Sequence, residues 1–183
     1  KNYCVHPAKD KGEDEMKIIV DKSIADLGKK TIVLAIAKHV NPSASLSENF
    51  LAKQKEMEEW ALQCDAEEAL KHPVNQGYVD SISAVGRSTK KNPPTAVALI
   101  QNIKRRGSIP HINSIVDIYN VESLRSFLAI GGHDYDKIDE EICFTVSKKE
   151  DVFYPILAPE KYVAETDYVY KDKKGIMAWI DVR

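Results

Sequence analysis

Cysteine is scarce in this chain, with only Cys4, Cys64 and Cys143 in 183 residues and no CxxC pair. Widely spaced and odd in number, they exclude a disulfide framework and a zinc ribbon as the organising principle. Cys4 and His6 make at most half a metal site, with nothing nearby to complete it. There is no surplus of positive charge either. Lys and Arg number 26 against 28 Asp and Glu, for a net charge of −2. That argues against a dedicated non-specific nucleic-acid binder, which needs cations to displace counterions from phosphates; a local basic patch stays open. The longest apolar run, "IVLAIA" at 32–37, is far too short to span a bilayer, and no secretory core opens the chain. No G-x-S-x-G elbow, phosphate-binding P-loop or G-x-G-x-x-G turn occurs.

What is there suits a soluble, cytoplasmic domain without metal or cofactor. The chain is 43% hydrophobic and 30% charged, enough to bury a real core. Its length suits a single domain over 16–183, behind a polar extension at 1–15. Lys1 rather than Met comes first, so two readings stand: a start inside a longer product, or an extension of the chain's own.

"MKIIV" at 16–20 reads as a strand, followed by a short helix that Asp21 caps and Gly28 stops. The β-branched run "KKTIVLAIAKHV" at 29–40 suits a buried strand. Residues 45–72 form the longest helix candidate, with Ser45 and Glu48 as a capping box. Its apolar face holds Leu46, Phe50, Met57, Trp60, Ala61 and Cys64, of which Met57 and Trp60 are expected in the core. Residues 71–94, rich in Pro, Gly and Asn, read as the loosest region. A helix follows in "NPPTAVALIQNIKRRG", with Asn92 as cap, Pro93 or Pro94 in its first turn and Gly107 at its end. Ala96, Val97, Ile100 and Ile103 make its inner face. A further helix pattern places Ile112, Ile115, Val116 and Tyr119 on one side, continues through Val121, Leu124 and Leu128, and ends at Gly131-Gly132. The period then changes to two, predicting a hairpin over 142–156 and another around "KDKKG". Helices in the first two-thirds, packed on a mainly antiparallel sheet with C-terminal hairpins, give an α+β class.

The polar groups of interest sit in "INSIVDIYN" and "GGHDYDKI". Asn113, Asp117 and Asn120 are spaced four and three apart and share one helix face. One reading is local: Asn113 caps, Asn120 ends the helix in a left-handed conformation, and the rest is a solvated stripe. The functional reading needs Asp117 half-buried, where a carboxylate must be paired. Gly131 and Gly132 allow close backbone approach, and His133 with Asp134 and Asp136 offers a base with an orienting carboxylate. Lys104, Arg105 and Arg106, with Lys90, Lys91 and Arg87 upstream, form either a solvated helix end or a phosphate contact.

The order of these motifs is specific. "GSIPHINSIVDIYNVESLRSFLAIGGHDYDKIDEEICFTVSKKEDVF" resembles the B3/B4 domain of the phenylalanyl-tRNA synthetase beta chain, through Gly107, Ile109, Ile112, Asn113, Val116, Asp117, Asn120, Asp134, Asp136, Lys137 and Ile138. The GGHD variant is closer in look to stand-alone proteins of that family, which lack the synthetase body. The resemblance covers 90–183 well and the first 90 residues weakly. It implies an α+β editing module that hydrolyses tyrosine wrongly esterified to phenylalanine tRNA. Such a second sieve is needed because a Phe pocket rejects an added hydroxyl poorly. It also implies charged tRNA as partner and no cofactor, since ester hydrolysis needs only positioned water and donors to the oxyanion.

Two departures accompany the resemblance. The family's editing histidine aligns with Gly131, so His133 is a replacement, two places later. The family's editing glutamate follows the last hairpin, and this chain stops at "MAWIDVR", short of that segment. The expectation is an aminoacyl-tRNA deacylase, if the chain is an enzyme at all. His133, Asp134 and Asp136 would be catalytic, and Asn113, Asp117, Asn120, Gly131 and Gly132 would bind substrate. Lys104, Arg105 and Arg106 would meet RNA. The alternatives are a non-catalytic module of the same fold binding RNA or an amino-acid-like ligand, and a synthetase fragment serving as scaffold.

Overall fold

The computed structural model describes residues 16–28, 31–155 and 159–179; the extension at 1–15, with Cys4 and His6, lies outside the described residues. The chain divides into two compact units. Of the described residues, one takes those up to Leu34 and those from His133 to Trp179, and the other takes Ala35–Gly132.

The first unit is a sheet. Strand β1 (Lys17–Val20) leads into α1 (Lys22–Asp26), which Asp21 caps by accepting the Ser23 N–H at 2.8 Å. Strands β2 (Glu141–Val146), β3 (Val152–Phe153), β4 (Lys161–Tyr162), β5 (Tyr168–Lys171) and β6 (Ile176–Trp179) follow the 3₁₀ turn Tyr135–Lys137. The sheet order is β1-β2-β5-β6-β3-β4. β5 and β6 form the expected hairpin, and the Asp172 carboxylate closes its turn by accepting the Lys174 and Gly175 N–H groups. The hairpin expected over 142–156 does not form. β2 has both edges filled, by β1 in parallel and β5 in antiparallel, so β3 pairs instead with β6 and β4. The sheet is therefore mixed, with three antiparallel and two parallel pairings. Ile24, Ile142 and Phe144 form one core cluster in this unit, and Phe153, Val163 and Val169 another.

The second unit is helical: α2 (Glu48–Gln63), α3 (Ala66–Leu70), α4 (Pro73–Ala84), α5 (Thr95–Arg106) and α6 (Ser114–Ser126). Ala61, Val97, Ile100, Ile103, Val121 and Leu124 are fully buried at its centre. Burial of each large apolar side chain is worth roughly 1.5–3 kcal/mol, so α5, which contributes Val97, Ile100 and Ile103, is its main anchor. Six helices and a six-stranded mixed sheet among the described residues make the protein α+β.

Several expectations need correction. The run at 31–40 pairs with no strand among the described residues, and Val33 is 86% exposed. β-branched composition expresses a preference only, and a strand also needs a neighbour. The long helix breaks at Cys64, whose backbone is extended, and restarts under an Asp65 cap. Its own cap is Ser47, not Ser45: the Ser47 hydroxyl accepts the Phe50 N–H at 3.2 Å. Met57 packs against the core, but Trp60 is exposed and meets Phe127 edge-on. The region read as loose contains α4, because Pro73 suits a first turn and Val74, Tyr78 and Ile82 recur every four residues. Pro94, not Asn92, occupies the cap position of α5, while Gly107 takes the left-handed conformation (φ 90°) as expected.

Candidate functional site

α6 begins where an extended stretch meets a capped helix. Asn113 has extended backbone and its side-chain oxygen accepts the Val116 N–H at 2.9 Å, the capping role expected of it. Of the predicted stripe, Val121 and Leu124 are buried and Ile115, Val116 and Tyr119 half-buried, whereas Ile112, before the helix, and Leu128, after it, are exposed; Ser114 and Asp117 are buried as well. Asn120 lies inside the helix rather than at its end; Phe127 takes the left-handed position instead (φ 60°). Phe127 is held there by its ring, which stacks on His72 at 4.3 Å.

Asp117 is therefore more than half-buried: only 2% of it is exposed. A carboxylate so placed needs partners, and it has two. The Ile112 N–H donates to one oxygen at 3.1 Å, and His111 Nδ1 approaches the other at 2.5 Å. Because an ionised carboxylate only accepts, the His111 proton sits on Nδ1, leaving Nε2 with its lone pair when the ring is neutral. The side chain of His111 is 78% exposed. Residue His111 was not singled out from sequence. The available signal was a histidine six residues before a carboxylate that demanded a partner.

His111 and Asp117 line a cleft of about 500 Å³ with Pro42, Ser43, Leu46, Leu51 and Gln54. Ser114 also lines it, but its hydroxyl donates to the Asn41 and Pro42 carbonyls, at 3.1 and 3.0 Å. It fastens the 41–42 turn to α6 and is not poised as a nucleophile.

The basic residues Lys104, Arg105 and Arg106 are exposed in the last turn of α5, where cations favour the helix C-terminus. Lys104 donates to the Leu62 carbonyl at 3.1 Å and Arg105 to Asn102 at 2.6 Å. After Phe127 the chain is fastened to two helices. The Ala129 N–H donates to the Tyr78 hydroxyl, and the Ile130 N–H to the Ser123 hydroxyl. Gly131 and Gly132 are exposed and neither has positive φ; a Cβ on Gly132 would only touch the Tyr119 ring, at 3.5 Å.

His133 opens the sheet unit. Its Nε2 lies 2.7 Å from the Tyr170 hydroxyl on β5, and the two rings meet edge-on. Burial against these neighbours pushes the His133 pKa below its usual value, and the Asp172 carboxylate opposes the shift. Asp134 caps the 3₁₀ turn, one carboxylate oxygen accepting the Asp136 N–H at 3.1 Å, and makes no hydrogen bond to the His133 ring among the described residues. Tyr170 holds the ring instead. Asp136 is exposed. The expected site residues thus fall in both units, with His133, Asp134 and Asp136 in one and Asn113, Asp117, Asn120, Gly131 and Gly132 in the other.

No group of three or more His, Cys, Asp or Glu residues that could hold a metal occurs among the described residues. Burial pushes the thiols of Cys64 and Cys143 up, so neither is a ready nucleophile. No described helix is long and apolar enough to cross a membrane. A family model described as "B3/4 domain" matches residues 78–183, more than half of the chain. No curated protein and no solved structure matches the chain.

Proposed function

The chain belongs to the B3/4 domain family, and from that premise we propose that it acts on aminoacylated tRNA, hydrolysing an aminoacyl ester of the editing type. One observation carries the reading. The family match runs over the part of the chain that holds every candidate residue, from Lys104 to Asp136. Water is the co-substrate, and no metal is called for: the reaction needs a base for the attacking water and donors for the oxyanion. Two imidazoles are candidates for the base, His133 beside Tyr170 and His111 beside Asp117. Lys104, Arg105 and Arg106, exposed together at one helix end, suit the phosphates of the RNA. Cytoplasmic localisation and a single domain spanning 16–183 belong to the same reading.

A second reading, a module that binds RNA or an amino-acid-like ligand without catalysis, is favoured by one detail. Asp134, the carboxylate next to His133, is occupied in capping a turn. Incubating the protein with a panel of aminoacylated tRNAs, Tyr- and Phe-charged phenylalanine tRNA among them, separates the two. Selective ester loss with one amino acid supports hydrolysis. No loss above the spontaneous rate, with protein in excess of tRNA, rejects it and leaves the binding module.

A further inference from the structure

We infer that the base is His111, positioned by Asp117, and that the adjoining cleft receives the amino-acid part of the ester. The inference rests on the hydrolytic reading above and names its machinery. The strength of this pair lies in what is buried and what is not. Asp117 is shut away from water and accepts both the Ile112 N–H and His111 Nδ1. It fixes the ring's tautomer and leaves the other nitrogen, Nε2, on an exposed imidazole at the cleft. No hydrogen bond to His111 Nε2 occurs among the described residues. His133 offers the opposite arrangement, its Nε2 already met by a tyrosine hydroxyl.

The cleft fits the substrate class. At about 500 Å³ it lies within the range of small-molecule sites, roughly 300–1,000 Å³. Pro42, Leu46 and Leu51 offer apolar contact for a side chain, and Ser43, Ser45 and Gln54 offer polar contact for an α-amino group or ester. The whole site lies within the helical unit. The step balances without any redox partner. A water oxygen bonds to the ester carbonyl carbon while its proton passes to His111 Nε2. The tetrahedral species then breaks its bond to the ribose oxygen, which takes that proton back from the imidazolium. The products are the free amino acid and the tRNA 3′-terminal hydroxyl.

The test uses the full chain with two substrate sets: the aminoacyl-tRNA panel, and ethyl esters of the same amino acids. Thermal unfolding of each variant checks the fold. With His111→Ala, kcat is expected to fall about 100-fold or more, the usual scale of a general base, while KM holds. Added imidazole should restore part of the rate, which a merely structural role would not allow. Asp117→Asn should lower kcat with KM held, and imidazole should not rescue it. Retained turnover in His111→Ala, or loss confined to His133→Ala, overturns the inference and leaves the hydrolytic reading standing. His111-dependent turnover of the ethyl esters alone upholds the site and rejects the tRNA-directed reading. Turnover of neither set overturns both.

Discussion

Replacing Asp117 by Ala removes the acceptor on which the start of α6 converges. A hydrogen bond to a charged acceptor is worth about 1.5–3 kcal/mol net. The contact to Ile112 lies on the backbone and keeps most of that. The contact to His111 involves a side chain 78% exposed, so solvent screening reduces its share to below about 1 kcal/mol. Against both stands the desolvation of a carboxylate only 2% exposed, which the substitution relieves. The balance is a loss of about 2 kcal/mol for Asp117→Ala. For Asp117→Asn it is about 1 kcal/mol, because an amide oxygen can still accept the Ile112 N–H. Urea unfolding followed at Trp60, in a Trp179→Phe background, reports on the helical unit, since the two tryptophans fall in different units. With a urea slope of about 1–3 kcal/mol per molar, 2 kcal/mol moves the midpoint by about 1 M. An Ala variant as stable as its parent would refute the reasoning, because the two contacts would then be worth no more than the desolvation they offset. His111→Ala in the same assay should cost under about 1 kcal/mol. An equal loss would place the stabilisation in the ion pair rather than in the backbone contact.

Two further outcomes concern the sheet unit. Burial holds the His133 pKa below its ordinary 6.5, so the folded state binds the proton more weakly than the unfolded chain. Stability should therefore be whole above about pH 6.5 and fall as pH drops from there toward the folded value. His133→Asn should remove that slope, and a wild type whose acid slope matches the variant's refutes the account. The Asp167 carboxylate is fully buried and accepts the Trp179 indole N–H at 2.7 Å. Trp179→Phe should cost about 1–3 kcal/mol for the donor withdrawn from a buried acceptor. Loss of less than 0.5 kcal/mol in denaturant titration, taking roughly that as the level of a neutral surface change, would show that Asp167 does not depend on the indole.

How legible each element was depended on whether its determinants were local. α5 carries its signals within sixteen residues: Pro at the start, inner apolar residues at helical spacing and Gly107 beyond the end. The helix ends where they put it and starts at Thr95, just after the prolines. α4 was legible by the same spacing, in Val74, Tyr78 and Ile82, but its Pro, Gly and Asn content outweighed the period. The strands themselves were read correctly at β1, β2, β5 and β6, yet the partner of β2 was not. Alternation shows that a strand has two faces, and says nothing of which strands take its edges. β3 follows β2 across a short turn, but β1, over a hundred residues earlier in sequence, and β5 had both edges.

The same division runs through the candidate site. That Asn113 caps α6, and that Asp117 needs a partner if buried, follow from residue type and spacing and were legible. Which donor meets Asp117 depends on the path of the chain before the helix. The extended backbone of Asn113, with φ −162° and ψ 166°, leads into the helix, and His111 meets a carboxylate six residues on. His133 shows the converse. Its own place was evident in "GGHDYDKI", and the obvious partner was the neighbouring Asp134. A carboxylate one residue away from an imidazole is well placed to cap the next turn, and Asp134 does so by accepting the Asp136 N–H. The ring is then left to a group from across the unit, the Tyr170 hydroxyl 37 residues away. Adjacency in sequence thus worked against the His-Asp pair at 133–134. A spacing of six residues, spanning the entry to a capped helix, allowed the pair at 111 and 117.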